Sequence, residues 1–70
     1  MFKDVTDRLI ELTRHSDDAV AIGAIYALGE GASPILNVQN RLMELTRHSN
    51  PDRQAAAAKA LGRLFRHNKG

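Results

Sequence analysis

Apolar residues along this chain recur at spacings of three and four, the period that places side chains on one face of an α-helix. One such stripe predicts a first helix that ends near Arg14, and a matching stripe predicts a third helix over residues 34–47. Ser33 can cap the third helix, and Pro34 suits its first position because no N–H is needed there. The stripes consist of Phe2, Val5, Leu9 and Leu12, and of Ile35, Val38, Leu42 and Leu45.

Two further helices are predicted from their caps and their alanine content. The second helix begins at Ser16 or Asp17, where a side-chain oxygen can cap the free amides, and runs to about Leu28 before a Gly-Glu-Gly segment. The fourth begins at Asn50-Pro51, runs through an alanine-rich segment that favours helix, and frays near residue 67. Loops this short make successive helices antiparallel neighbours.

The two halves of the chain repeat each other at an offset of 33 residues. RLIELTRHS over residues 8–16 returns as RLMELTRHS over 41–49, and Ala-Leu-Gly over 27–29 returns over 60–62. Because Gly62 is followed by helical residues, we expect the shared glycine to be a packing position more than a helix stop. A period of this length indicates helical repeats that bury their faces by stacking. We predict one all-α domain over residues 1–70, with two stacked antiparallel hairpins: repeat one over 1–33 and repeat two over 34–70.

The segment SNPDRQAAAAKALGRL over residues 49–64 resembles the second helix of a HEAT-like repeat, of the short bacterial kind also found in phycobilisome lyases. Residues 28–36 are similar to the joint between such repeats, so the resemblance covers nearly the whole chain. It implies a short HEAT-like α-solenoid and says little about function. Two repeats are fewer than usual, and Ile22, Ile25 and Tyr26 stand where alanine or basic residues are usual. These departures fit a surface that another subunit or a partner completes.

The second predicted helix is apolar over much of its circumference. Ile22, Ile25 and Tyr26 fall largely outside one packing stripe, which would consist of Ala19, Val20, Gly23, Ala24, Ala27 and Leu28. Such a helix either contacts a partner or is simply the most buried of the four. We predict an interface of Ile22, Ile25 and Tyr26, with Leu64 and Phe65 as a cap or a second contact. The leading function is a non-enzymatic, self-associating protein–protein interaction module whose partner is another protein, a second copy of the chain, or both.

Charge is divided unequally between the repeats. Residues 1–33 hold six acidic and three basic residues, whereas residues 34–70 hold two acidic and seven basic residues. The basic residues of the fourth helix could neutralise phosphates, select an acidic protein surface, or form an ordinary solvated face. This basic face consists of Arg53, Lys59, Arg63 and Arg66. A small nucleic-acid-binding protein acting through it is the alternative function.

The duplicated Thr-Arg-His-Ser segment would bring two arginines and two histidines to one edge of the stack. Arg14, His15, Arg47 and His48 could there bind a phosphate or a carboxylate. The other interpretation is structural, because cations in the last turn complement the negative end of a helix and serine begins the next cap.

Catalytic, metal and cofactor sites are not predicted. Cysteine is absent, and the three histidines lack the spacing of a helical metal pair. The serines are explained as helix caps, and no glycine-rich phosphate loop follows a strand. Since no catalytic constellation is predicted, we expect a protein that is not an enzyme. Without a secretory signal or a membrane span we expect it to be cytoplasmic, and the resemblance to short bacterial HEAT-like repeats implies a bacterial source.

Overall fold

Four helices arranged as two hairpins make up the chain, in a computed structural model that describes residues 3–31 and 36–67. The helices are α1 (Lys3–Leu12), α2 (Asp18–Gly31), α3 (Leu36–Leu45) and α4 (Pro51–His67). Helix α2 packs most extensively on α4, and each of them also packs on the first helix of its own hairpin. The predicted all-α stack of two hairpins is confirmed. No helix in the described ranges is both long and apolar enough to cross a membrane.

The second helix of each hairpin is capped by equivalent residues. The Oδ1 of Asp17 accepts hydrogen bonds from the N–H groups two and three residues later, at 2.9 and 3.3 Å. The Oδ1 of Asn50 does the same at 2.8 and 3.2 Å, and Pro51 takes the first helical position. The predicted cap at Asn50 agrees with these bonds, as does Asp17, one of the two starts predicted for α2. The interpretation of Ser16 and Ser49 as caps is wrong. The predicted cap at Ser33 lies outside the described residues.

The observed helix ends differ from the predicted ones by two or three residues. Helices α1 and α3 end at Leu12 and Leu45, since a tighter turn follows in which the backbone N–H of Arg14 and of Arg47 bonds a carbonyl three residues earlier. Helix α2 continues three residues past the predicted Leu28, to Gly31. No glycine among the described residues has a positive φ, so glycine does not end α2 by a left-handed turn.

The core lies between the two hairpins and along the α2–α4 contact. Its fully buried large side chains come from α2, α3 and α4, and alanines of α4 fill the space between them. The core cluster consists of Ile25, Leu28, Val38, Leu42, Leu45, Ala56, Ala57, Ala60 and Leu64. The third-helix stripe is confirmed over Val38–Leu45, whereas Phe2 and Ile35 lie outside the described residues. In α1, Leu9 and Leu12 are half-buried and Val5 is exposed.

Small residues allow α2 and α4 to approach closely at one point. A Cβ built on Gly29 would lie 2.7 Å from Cα and 2.9 Å from the carbonyl oxygen of Ala60. Real Cβ atoms essentially never approach a neighbour to less than 3.0 Å, so this contact requires glycine. The expectation that the shared glycine is a packing position agrees with this contact for Gly29. It does not hold within the described residues for Gly62, which is exposed and where a built Cβ meets nothing within 4 Å.

The buried face of α2 agrees only in part with the predicted stripe, of which Ala24 and Leu28 are buried. The residues it buries are Ala21, Ala24, Ile25, Leu28 and Gly29. Ala19, Val20 and Gly23, which the predicted stripe included, are exposed. The reason is that α2 is apolar nearly all round, so periodicity alone does not determine which side faces the core. The position of α4 determines it instead.

Candidate interaction surface

The outer side of the α2–α4 pair carries a shallow groove of about 390 Å³. Its lining consists of Tyr26, Glu30, Lys59, Gly62 and Arg63. Tyr26 and Glu30 lie one turn apart on α2, and their repeat equivalents Lys59 and Arg63 lie one turn apart on α4, so the four side chains share one surface. Tyr26 remains 40% exposed, and the guanidinium of Arg63 pairs with the carboxylate of Glu30 across the groove.

The structure divides the predicted apolar interface between the surface and the core. Tyr26 is exposed, Ile22 is half-buried, and Phe65 is 55% exposed near the end of α4. Ile25 and Leu64 are fully buried in the core of this chain, so their side chains are not available to a partner. This corrects the prediction for these two residues: Ile25 packs under the second repeat, and Leu64 packs in the cluster that α2 and α4 share.

Arg53, which the sequence analysis assigned to the exposed basic face, lies between the two repeats instead. Its side chain is buried, and its Nε donates a hydrogen bond of 2.8 Å to Oδ1 of Asp18. One terminal nitrogen donates to the carbonyl oxygens of His15 and Ser16 at 2.7 and 3.3 Å. Asp18 also accepts two bonds of 3.2 Å from the amide of Asn50. Arg53 therefore joins the two repeats, and the basic face loses one of its four members.

The remaining residues of the basic face differ in their ion pairing. Lys59 is exposed in the groove, whereas Arg63 is exposed but held by Glu30. The side chain of Arg66 lies outside the described residues. On the described part of α4 the basic face therefore consists of the exposed Lys59 and of Arg63 paired with Glu30, since Arg53 is buried.

The histidines of the duplicated segment close turns. The Nδ1 of His15 accepts a hydrogen bond of 3.0 Å from the N–H of Asp17, and Nδ1 of His48 accepts one of 2.9 Å from Asn50. Each bond orients the residue that caps the following helix. Arg14 and Arg47 are exposed at the same edge. His67 lies outside the described side chains, and no group of three possible metal ligands occurs among the described residues.

Thr13 and Arg41 form a polar contact between the repeats that sequence analysis missed. The Oγ1 of Thr13 donates to the carbonyl of Ile10 at 2.6 Å and accepts a bond of 2.7 Å from Nε of Arg41. Thr13 is fully buried. The pKa of Arg41 is lowered, mainly because its guanidinium is partly buried and secondly because the positive charge of Arg14 is nearby. The sequence signal is weak, because the equivalent residues Arg8 and Thr46 are identical in type but do not make this contact within the chain.

Substituting Thr13 by valine tests this contact. We expect Thr13→Val to lower the free energy of unfolding by about 1–2 kcal/mol more than Thr46→Val, because only the first leaves a charged donor without its acceptor. Both variants lose a bond of 2.6 Å to a carbonyl three residues earlier, which is part-buried at Thr13 and exposed at Thr46. Their difference therefore measures the inter-repeat bond together with the deeper burial of Thr13. Equal losses in urea denaturation would mean that Arg41 contributes nothing through Thr13.

Comparison with known protein families identifies the repeats. The family described as HEAT repeats matches residues 5–69, nearly the whole length of the chain. Comparisons with curated proteins and with solved structures return no match. The matched region includes both hairpins, the close contact of Gly29 with Ala60, and the capped second helices. The chain therefore belongs to the HEAT-repeat family.

Proposed function

We propose that this chain is a non-enzymatic protein–protein interaction module that binds an acidic partner segment in the α2–α4 groove and also associates with itself. HEAT repeats generally mediate protein–protein interactions. The observation that carries the proposal for this chain is the exposed ring of Tyr26 beside Lys59 and Arg63 in an open groove.

The chemistry of the groove suits a protein partner. A tyrosine ring offers a large apolar contact with a polar tip and loses little side-chain entropy, which is why tyrosine is enriched among binding hot spots. The two cations outnumber the single carboxylate of Glu30, so the groove carries net positive charge. An acidic segment with one apolar anchor would complement both features and would be steered towards the basic half of the chain.

A non-enzymatic role is supported by what the candidate reactive groups already bind. His15 and His48 use Nδ1 to accept backbone hydrogen bonds, and Asp17 caps α2. These groups therefore serve the turns between helices.

A capture experiment with paired variants tests the proposed function. The tagged chain is incubated with lysate of its source organism, with and without nuclease, beside a groove variant (Tyr26→Ser with Lys59→Gln). An edge variant (Arg14→Gln with Arg47→Gln) is the control, because it removes exposed cations outside the groove. We expect to capture a protein whose binding is unaffected by nuclease and is retained by the edge variant. Its affinity for the groove variant should be at least about 30-fold lower than for the native chain, as expected for loss of a hot spot.

Two other outcomes would contradict the proposal. Full binding by the groove variant and loss by the edge variant would move the site to the duplicated Thr-Arg-His-Ser segment. Material that disappears with nuclease, and whose binding falls steeply with salt, would instead indicate nucleic acid bound through Lys59, Arg63 and Arg66. Circular dichroism of each variant confirms that the helices are retained.

A further inference from the structure

The joint between the two repeats buries one face of each hairpin and leaves the opposite faces open. Ile25 and Gly29 of the first hairpin are buried at the joint, whereas their equivalents Ala58 and Gly62 are exposed on the second hairpin. In the other direction, Val38 is fully buried, whereas its equivalent Val5 is 47% exposed. Each open face therefore repeats the residue positions of a face that the joint covers.

The two open faces can be defined by residue. The tail face, on the second hairpin, consists of Met43, Ala58, Leu61, Gly62 and Phe65. The head face, on the first hairpin, consists of Val5, Arg8, Val20, Gly23 and Ala27. Every one of these residues is exposed or half-buried. Most are small or apolar, which is typical of a surface that another hairpin covers.

We propose that separate copies of this chain associate head to tail, with the tail face of one copy on the head face of the next, in the register of the internal joint. This proposal specifies how the chain associates with itself, and it rests on the self-association in the proposed function. The occupant of each open face is thus a second copy of the chain, and the internal joint supplies the template for its contacts.

The close helix contact can recur at the joint between copies. Within the chain, Gly29 allows the backbone of Ala60 to approach. At the same offset, Gly62 would receive Ala27 of the next copy. A Cβ built on Gly62 meets no heavy atom of the described residues within 4 Å, so space for that approach is open. Ala27 is small and half-buried on the head face, as this contact requires.

Polar contacts can recur in the same register. Arg41 donates to Thr13 within the chain, and the equivalent pair at the new joint is Arg8 of the next copy with Thr46. Both are present and solvent-accessible. Glu30 pairs with its own repeat equivalent, Arg63, within the chain. At the new joint Arg63 therefore faces Glu30 of the next copy, again with opposite charge.

Among the described residues, the ion pair between Asp18 and Arg53 does not recur, because both of its positions differ at the new joint. Asp18 and Arg53 pair within the chain, and their equivalents at the new joint are Pro51 and Val20 of the next copy. Pro51 is exposed and Val20 is 39% exposed, so an apolar contact takes the place of an ionic one. No charge is left unpaired at that point, which avoids the cost of desolvating one.

The long-range charges favour the same arrangement. The head end belongs to the acidic first repeat and the tail end to the basic second repeat, so opposite ends attract and like ends repel. A head-to-tail joint uses two different surfaces, and such joints form rings or open filaments instead of closing as symmetric dimers.

Mixing two blocked variants tests the proposal. Gly62→Gln blocks the tail face, and Ala27→Gln blocks the head face, without a change of charge. By sedimentation velocity, we expect native chains to form assemblies that grow with concentration, and each variant alone to be monomeric. An equimolar mixture should give dimers and nothing larger, because one intact head face meets one intact tail face.

Controls keep the outcome interpretable. Ala19→Gln alters a position that is exposed in both repeats and should assemble like the native chain. Gly23→Gln is a second head-face variant, at an exposed position where a built Cβ meets nothing within 4 Å and whose equivalent, Ala56, is buried. A folding defect in Ala27→Gln would therefore not remove the test. A native chain that stays monomeric at millimolar concentration would overturn the proposal, as would Ala27→Gln chains that dimerise alone through a symmetric tail contact.

The groove and the joint can fail separately. The groove and the tail face share Gly62, but Tyr26 and Lys59, which are equivalent positions exposed in both repeats, belong to neither open face. The groove variant should therefore assemble like the native chain while losing its captured partner. A native chain that captures its partner through the groove but stays monomeric would reject head-to-tail association alone. A native chain that assembles head to tail, but whose partner binds the groove variant equally well, would reject the groove alone.

Discussion

Replacing Gly29 by alanine is expected to lower the free energy of unfolding by about 3 kcal/mol, near the upper end of the cost of overpacking. The added Cβ would meet backbone atoms of Ala60 at 2.7 and 2.9 Å, and backbone cannot rotate away as a flexible side chain can. Helices α2 and α4 would have to separate along their main contact. A domain of this size has only about 4–10 kcal/mol of stability in total, so the loss would be a large fraction of it.

The same substitution at Gly62 is the matched control, because the two glycines occupy equivalent repeat positions. Gly62→Ala is expected to raise the free energy of unfolding by about 0.5–1 kcal/mol, since alanine favours helix and no described atom lies within 4 Å of the new Cβ. Urea denaturation of dilute protein, followed by far-UV circular dichroism, measures both. A Gly29→Ala chain as stable as the native one would mean that α2 and α4 adjust without cost.

The helices and their pairing could be predicted because their signals are local or are repeated within the chain. Apolar residues spaced three and four apart predicted the stripe of α3, and proline after Asn50 marked the start of α4. The repeat of 33 residues then implied that equivalent hairpins stack. Even the packing position of Gly29 could be inferred, because its equivalent Gly62 is followed by helical residues.

The orientation of α2 could not be predicted from its own residues. Its apolar residues surround the helix, so Ile25 on the buried side and Tyr26 on the exposed side look equally suited to a partner. The difference arises only when α4 packs over Gly29. For the same reason, the predicted interface joined residues that the fold separates between core and surface.

The contacts of arginine residues were also beyond sequence analysis. Arg53 and Asp18 are 35 residues apart, and Arg41 and Thr13 are 28 apart, so no helical spacing relates them. A cation on a helix usually indicates a solvated face, which is a correct description of Lys59 and a wrong one for Arg53. Only the stacking of the repeats brings these partners together.

Replacing Arg53 by alanine is accordingly expected to lower the free energy of unfolding by about 2–3 kcal/mol. The change removes the bond to Asp18 and leaves the carbonyls of His15 and Ser16 without this donor. The expectation stays below the cost of breaking a fully buried ion pair, because Asp18 is partly exposed and solvent screens its charge.

Lys59→Ala on the same helix is the control, and it should change stability by no more than about 0.5 kcal/mol because Lys59 is exposed. Asp18→Asn adds a second comparison: its amide oxygen can still accept the bond from Arg53, so it should lose less than Arg53→Ala does. If Arg53→Ala were as stable as Lys59→Ala, the bonds of the buried guanidinium would only offset the cost of its desolvation. The stability of the contact between the repeats would then come from apolar packing alone.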